Sequence, residues 1–189
     1  GKELLSALSM REEVEVQRAL ADVLTRLFRR IEWDAVPILE RMLTSSDSSV
    51  LAAASATVGD LRFLDEEKFA DKLAELSTHT QRLVRRNLVS QLRHYITLFP
   101  DDERGVFITL WLDGDEVLSS RLRELMLRME EVDTPRFSTL VERIAVHDST
   151  SLAPLLEVLA IRKPERAREW TSYLAGEGPI PESSPPEEE

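Results

Sequence analysis

Arg82, Arg85, Arg86 and Arg93, together with His94, fall in a stretch from 80 to 99 that contains no acidic residue. On a helix turning about 100° per residue, Arg82, Arg86 and Arg93 lie within about 40° of one another and form one stripe. A stripe of planar, permanently charged guanidinium groups suits one task, holding carboxylates or phosphates. Arg18, Arg26, Arg29 and Arg30 extend the pattern to the segment 12–31, and Arg18 occupies the same place there as Arg86 does in its own segment. The candidate partner-binding residues are therefore Arg18, Arg26, Arg29, Arg82, Arg86 and Arg93. A second reading stays open, in which the stripe is a solvated face whose cations pair with Asp65, Glu66, Glu67 and Glu75 on a neighbouring helix. Arg85 stands apart. It falls among apolar positions, where a guanidinium needs a carboxylate or carbonyl partner.

Other chemistry is sparse. The chain has no Gly-rich phosphate loop, no nucleophile elbow and no zinc-binding His pair on a helix. His79 and His147 hold the same turn position two repeats apart, about 20 Å if helical units stack at ~10 Å, too far to share a metal ion. The loop Asp113, Gly114, Asp115, Glu116 lacks the spacing and distal Glu of a calcium-binding loop, so it reads as a turn and a helix cap. Trp33, Trp111 and Trp170 read as core and cap residues. No catalytic, cofactor or metal residue is assigned, and the expectation is a protein that is not an enzyme.

The helices that would carry the stripe announce themselves by periodicity. Val16, Val50, Val84, Leu118 and Leu152 recur at a step of 34 residues. Four positions on come Leu20, Ala54, Leu88, Leu122 and Leu156, and eight positions on come Leu24, Val58, Leu92, Met126 and Ala160. Eleven positions on, Leu27, Leu61, Tyr95 and Met129 continue the pattern until Lys163 breaks it. These offsets fall within about 80° of arc on a helix. A second set precedes each of the later ones: Leu39, Leu73, Phe107 and Val141, then Met42, Leu76, Leu110 and Ile144. The spacing predicts first helices near 34–44, 66–77, 102–112 and 134–146, and second helices near 12–31, 49–63, 80–99, 115–130 and 149–162. A closing helix follows at 165–175. The turns at 44–49, 77–80, 113–115 and 147–149 supply Ser, Thr or Asp to cap the second helices. Paired helices returning at a fixed step make an all-α solenoid of about four to five hairpins, each burying its face against its neighbours.

Pro37 early in a first helix, followed by Val50-Leu51-Ala52-Ala53-Ala54 and then Val58-Gly59-Asp60-Leu61, resembles a HEAT repeat. Val84-Arg85-Arg86-Asn87-Leu88 with Leu92 fits the same frame and keeps the Arg typical of the family's second helix. By register the resemblance spans about 1–163, but it is good at residue level only in these two hairpins. The Arg column reads Gln17, Leu51, Arg85, Ser119 and Ala153, so the family's ladder of turn Asp and helix Arg does not run through the stack. Pro37 has no counterpart at Asp71, Gly105 or Thr139. Tetratricopeptide repeats share the period but need an aromatic-Leu-Gly pattern that is missing here. The resemblance implies a right-handed HEAT/armadillo-like α-solenoid whose second helices line a concave, partner-binding surface.

Among 189 residues, 35 Asp and Glu outweigh 24 Lys and Arg, giving a net charge of −11. Sustained contact with DNA is disfavoured by that balance, because phosphate neutralisation dominates such affinity. The runner-up function, a HEAT-like DNA-binding or alkylation-repair enzyme, would need a strongly basic concave face. No apolar run approaches the ~20 residues of a membrane-spanning helix. The absence of cysteine fits a reducing cytoplasm. Residues 1–175 read as the solenoid, and 176–189, with four prolines and five glutamates, as a disordered acidic tail or linker. Residues 1–9 read as the rest of a hairpin already under way, so the chain is expected to be a piece of a longer protein. The expected function is a protein–protein interaction scaffold without a cofactor, its partner a protein with an acidic segment for the stripe to grip.

Overall fold

In the computed structural model, Glu3, Ala7, Leu8, Met10, Arg11 and residues 13–181 are described, except for the side chain of Arg29. The expected hairpin remnant at 1–9 lies largely outside them, and of the acidic tail expected at 176–189 only 176–181 is described. Among the described residues the fold is all helix, with no strand. The helices are α1 (Val14–Ile31), α2 (Val36–Met42), α3 (Ser48–Thr57), α4 (Glu66–Ser77), α5 (Arg82–Leu98), α6 (Val106–Trp111), α7 (Glu116–Val132), α8 (Thr134–Asp148), α9 (Ala153–Arg162) and α10 (Pro164–Leu174). Three 3-10 turns join them, at Glu32–Ala35, Val58–Phe63 and Ser149–Leu152.

The chain forms two compact units, one of Gly1–Phe99 with Glu103–Leu110 and one of Pro100–Asp102 with Trp111–Glu189. In the first, α1 packs on α3 and α3 on α5, while α4 packs on α5 and α2 against both α1 and α3. The second helices thus lie side by side in chain order. In the second unit, α7 packs on α8 and α9, and α9 on α10.

Burial follows the apolar stripes. Val50, Ala54, Val58 and Leu61 are buried, and so are Val84, Leu88, Leu92 and Tyr95, then Leu118, Leu122, Met126 and Met129. The shorter stripes at Leu39, Met42, Leu73, Leu76, Phe107, Leu110, Val141 and Ile144 are buried as well. On α9 the buried face has turned. Leu152 is buried, but Leu155 and Leu159 replace the expected Leu156 and Ala160. Leu152, Leu155 and Leu159 stand at offsets of three and seven, an ordinary α-helical face, and a 3-10 turn at Ser149–Leu152 precedes it.

Aspartates do most of the capping. Asp47 accepts from the amides of Ser49 and Val50, Asp65 from Lys68, Asp115 from Leu118 and Asp133 from Arg136. The start of α5 differs, because Gln81 there makes no side-chain cap. His79 Nδ1 instead accepts from the Gln81 amide at 3.1 Å, and Arg85 donates to the carbonyls of His79 and Thr80. The guanidinium that needed carbonyl partners finds them in its own turn. Trp33 departs from its expected core role and is half exposed in a 3-10 turn, whereas Trp111 and Trp170 are buried.

By length and composition alone the run Thr134–Arg162 is apolar enough to cross a membrane, but Arg136, Glu142, Arg143, Asp148 and Glu157 interrupt it, so it contains no unbroken apolar run of that length. It is not one straight rod, since Asp148 is extended (φ −160°, ψ 93°) and caps the 3-10 turn that follows.

Helices α3 and α5 are stitched by side-chain amides. Asn87 donates to the Ala52 carbonyl at 3.0 Å, and Gln91 to that of Ala56 at 3.2 Å. At Gly59 a Cβ would lie 1.8 Å from the Gln91 side-chain oxygen, so a larger residue there would displace the Gln91 side chain. Ala54 faces the same interface and is fully buried, while Ala52 is only half-buried. Ala54→Leu is therefore expected to overpack the core at a cost of about 1–3 kcal/mol. Chemical denaturation should show a clearly smaller loss for Ala52→Leu. Equal losses would mean that α3 is rotated from the orientation described.

Candidate functional site

Helix α5 presents its apolar positions to α3 and α4 and leaves the arginine stripe on the other side. Arg82 and Arg93 are exposed and Arg86 is half-buried. Of the first-helix carboxylates named for the stripe, Glu67, Glu75 and Asp65 have other partners. Arg104 pairs with Glu67 and, at 2.7 Å, with Asp71; Glu75 takes Lys72 at 2.5 Å, and Asp65 caps α4. Arg104 also lies over the Phe99 ring at 4.9 Å, and its two carboxylates raise its pKa further. Among the described residues, Arg82 and Arg93 form no ion pair.

The face is wider than the stripe. Although His94 is exposed overall, partial burial of its ring lowers its pKa, and the charges of Arg62 and Arg93 lower it further. Arg62 and Arg93 thus both act electrostatically on His94, and the 3-10 turn that carries Arg62 contacts α5. Arg62 is anchored to the Gly59 carbonyl and stacks over Phe63 at 4.1 Å. No helical periodicity links Arg62 to α5, so the sequence offered no signal for it. Phe63 beside it is largely exposed, at 72%.

The arginines of α1 fare differently. Arg18 donates to Asp47 Oδ2 at 2.8 Å and to the Ser49 hydroxyl at 2.6 Å, which ties α1 to the cap of α3. A turn-Asp to helix-Arg rung thus exists once in this unit, one position along from the column in which the family carries it. Arg18 serves the fold. Arg26 is exposed and forms no ion pair among the described residues. The side chain of Arg29 lies outside them. Helix α3 separates α1 from α5, so two sets of cations flank a helix of Ser and Ala, about 20 Å apart at usual interhelical spacing.

Bonds from Ser49 and Arg18 hold the Asp47 carboxyl well below its ordinary range, with the Val50 amide adding to them. A depressed carboxylate stabilises the fold above its unfolded pKa near 3.8, and that contribution disappears as pH falls through the lower folded value. Asp47→Asn should therefore destabilise at neutral pH and make no difference in strong acid. Thermal melts of both proteins between pH 7 and pH 2 check this: the gap should begin to close below about pH 4.

Among the described residues no group of His, Asp or Glu could hold a metal ion. His79 and His147 each bond locally, the latter to the Arg143 carbonyl at 2.9 Å.

A family model described as HEAT repeats matches residues 1–93. The match is partial, and it contains both hairpins whose residues resemble that family. No curated protein and no solved structure matches the chain.

Proposed function

We propose that this chain is a non-enzymatic docking module: a HEAT-like α-solenoid of about four to five hairpins at a 34-residue step, whose basic α5 face takes an acidic segment of a protein partner. The observation that carries this reading is the state of the stripe. Arg82 and Arg93 are exposed and make no ion pair among the described residues, while Glu67, Asp71 and Glu75 beside them are engaged by Arg104 and Lys72. A protein of net charge −11 that keeps such a face open holds local positive potential against its overall charge. Packing of α1 on α3 and α3 on α5 also agrees with second helices lining one surface. Arg62 and His94 join Arg82, Arg86 and Arg93 in the proposed face.

The test is a pair of titrations by fluorescence anisotropy at about 0.15 M salt, one with a labelled polyglutamate peptide and one with a labelled duplex DNA. Binding of the peptide, weakening as salt rises, is the expected result. Binding of the duplex at that salt with none of the peptide would overturn the reading in favour of a DNA-directed function.

A further inference from the structure

Arg18, Asp47 and Ser49 close on one another in the N-terminal unit. The C-terminal unit contains the same three residue types in Arg123, Asp148 and Ser151, but there they do not close. They line a cavity of about 250 Å³ instead, together with Trp111, Ser119 and Pro154. Asp148 and Ser151 are bonded to their own surroundings. Ser151 already accepts the Trp111 indole N–H at 2.9 Å and donates to the Asp148 carbonyl at 2.7 Å. The Asp148 carboxylate takes the Thr150 amide at 3.0 Å and the Thr150 hydroxyl at 2.6 Å. Arg123 is half-buried, and among the described residues it has no ion pair or hydrogen bond. Ser119, four residues earlier on the same face of α7, leaves its hydroxyl unused among those residues.

The geometry points to a carboxylate-binding pocket in which Arg123 and Ser119 hold the acidic side chain of a partner segment, with apolar atoms of that segment against Trp111 and Pro154. This site is separate from the α5 face and does not depend on it. Size and charge select the occupant. Small-molecule sites run from about 300 to 1,000 Å³, so a 250 Å³ cavity suits one side chain rather than a cofactor. Asp148 is held ionised by Thr150, chiefly through the Thr150 hydroxyl. The negative charge of Asp148 in the same lining disfavours a dianionic phosphate more than a singly charged carboxylate.

The test uses the indole N–H resonance of Trp111 in the 15N-labelled full chain, assigned by Trp111→Phe. The probes are acetyl-Leu-Glu-amide, acetyl-Leu-Gln-amide and propionate. The Glu peptide is expected to move the resonance and to bind about tenfold or more tightly than the Gln peptide, since only its carboxylate makes a charged hydrogen bond. Arg123→Gln should abolish that preference, and Arg123→Lys should keep part of it. Equal binding of the two peptides, or a preference that survives Arg123→Gln, would overturn the proposal. Tighter binding of propionate than of the Glu peptide would overturn the assignment to a protein segment in favour of a free acid. Changing Glu182, Glu187, Glu188 and Glu189 to Gln should leave the free protein's Trp111 resonance in place; a shift on that change alone would make the chain's own tail the occupant.

Discussion

Reversing Arg82, Arg86 and Arg93 to Glu is expected to weaken polyglutamate binding by roughly a hundredfold or more without unfolding the protein. Like charges placed across an interface cost several kcal/mol, and three reversals replace three attractions with three repulsions. On-rate and salt dependence should change most, because charge on an open face acts mainly on encounter. Folding should survive, since Arg82 and Arg93 are exposed and the apolar positions of α5 are untouched. The double variant Arg82→Glu/Arg93→Glu isolates the two exposed positions from half-buried Arg86. Arg85→Ala is the contrasting variant. Its guanidinium is spent on the carbonyls of His79 and Thr80, so its loss should lower stability and leave affinity alone. Circular dichroism reports the fold and anisotropy the affinity. A triple variant that is folded and binds polyglutamate like the parent protein would remove the α5 face from consideration.

How much of this was legible beforehand depended on which force set each feature. Burial of apolar side chains is local in its signature, since a stripe on a helix needs only the helix to be seen, and the positions from Val50 to Met129 read off that way are buried. Where a local backbone choice intervened, the reading slipped. After the 3-10 turn at Ser149–Leu152, burial on α9 falls on Leu155 and Leu159, and the 34-residue step, which assumes one α-helix throughout, points to Leu156 and Ala160 instead. Polar pairing was the least legible, because it joins residues about thirty positions apart. Asp71 and Glu67 went to Arg104 rather than to the stripe, and Arg18 was lost to Asp47. Arg62 reached the candidate face from outside α5 altogether. The site was therefore half visible: its helix was readable, its true membership was not.

Loss of Glu130 should strongly destabilise the C-terminal unit. Glu130 and Arg166 are both buried, at 5% and 7% exposed, and their charged atoms approach to 3.4 Å. Lys163, the residue at which the apolar column fails, reaches the other carboxylate oxygen at 2.6 Å. Arg166 rests against Trp170, which is fully buried with Phe137 and Tyr173 packed edge-on against it. Glu130→Ala takes the buried carboxylate away from that guanidinium, whose pair with Glu169, 3.0 Å away, involves a half-exposed partner. Breaking a buried pair by removing one partner typically costs about 3–5 kcal/mol. Lys163→Ala removes a partner that is 44% exposed and should cost only ~0–1 kcal/mol. In a Trp33→Phe/Trp111→Phe background, Trp170 fluorescence during urea unfolding reads this unit. The diagnostic variant is the double change Glu130→Leu/Arg166→Leu. If the cost of Glu130→Ala comes from a stranded charge, removing both ions should restore most of the stability, because apolar replacements of a buried pair are often neutral or better. If the double variant is as unstable as Glu130→Ala, the carboxylate matters for the packing of α7 on its neighbours and not for the charge it balances.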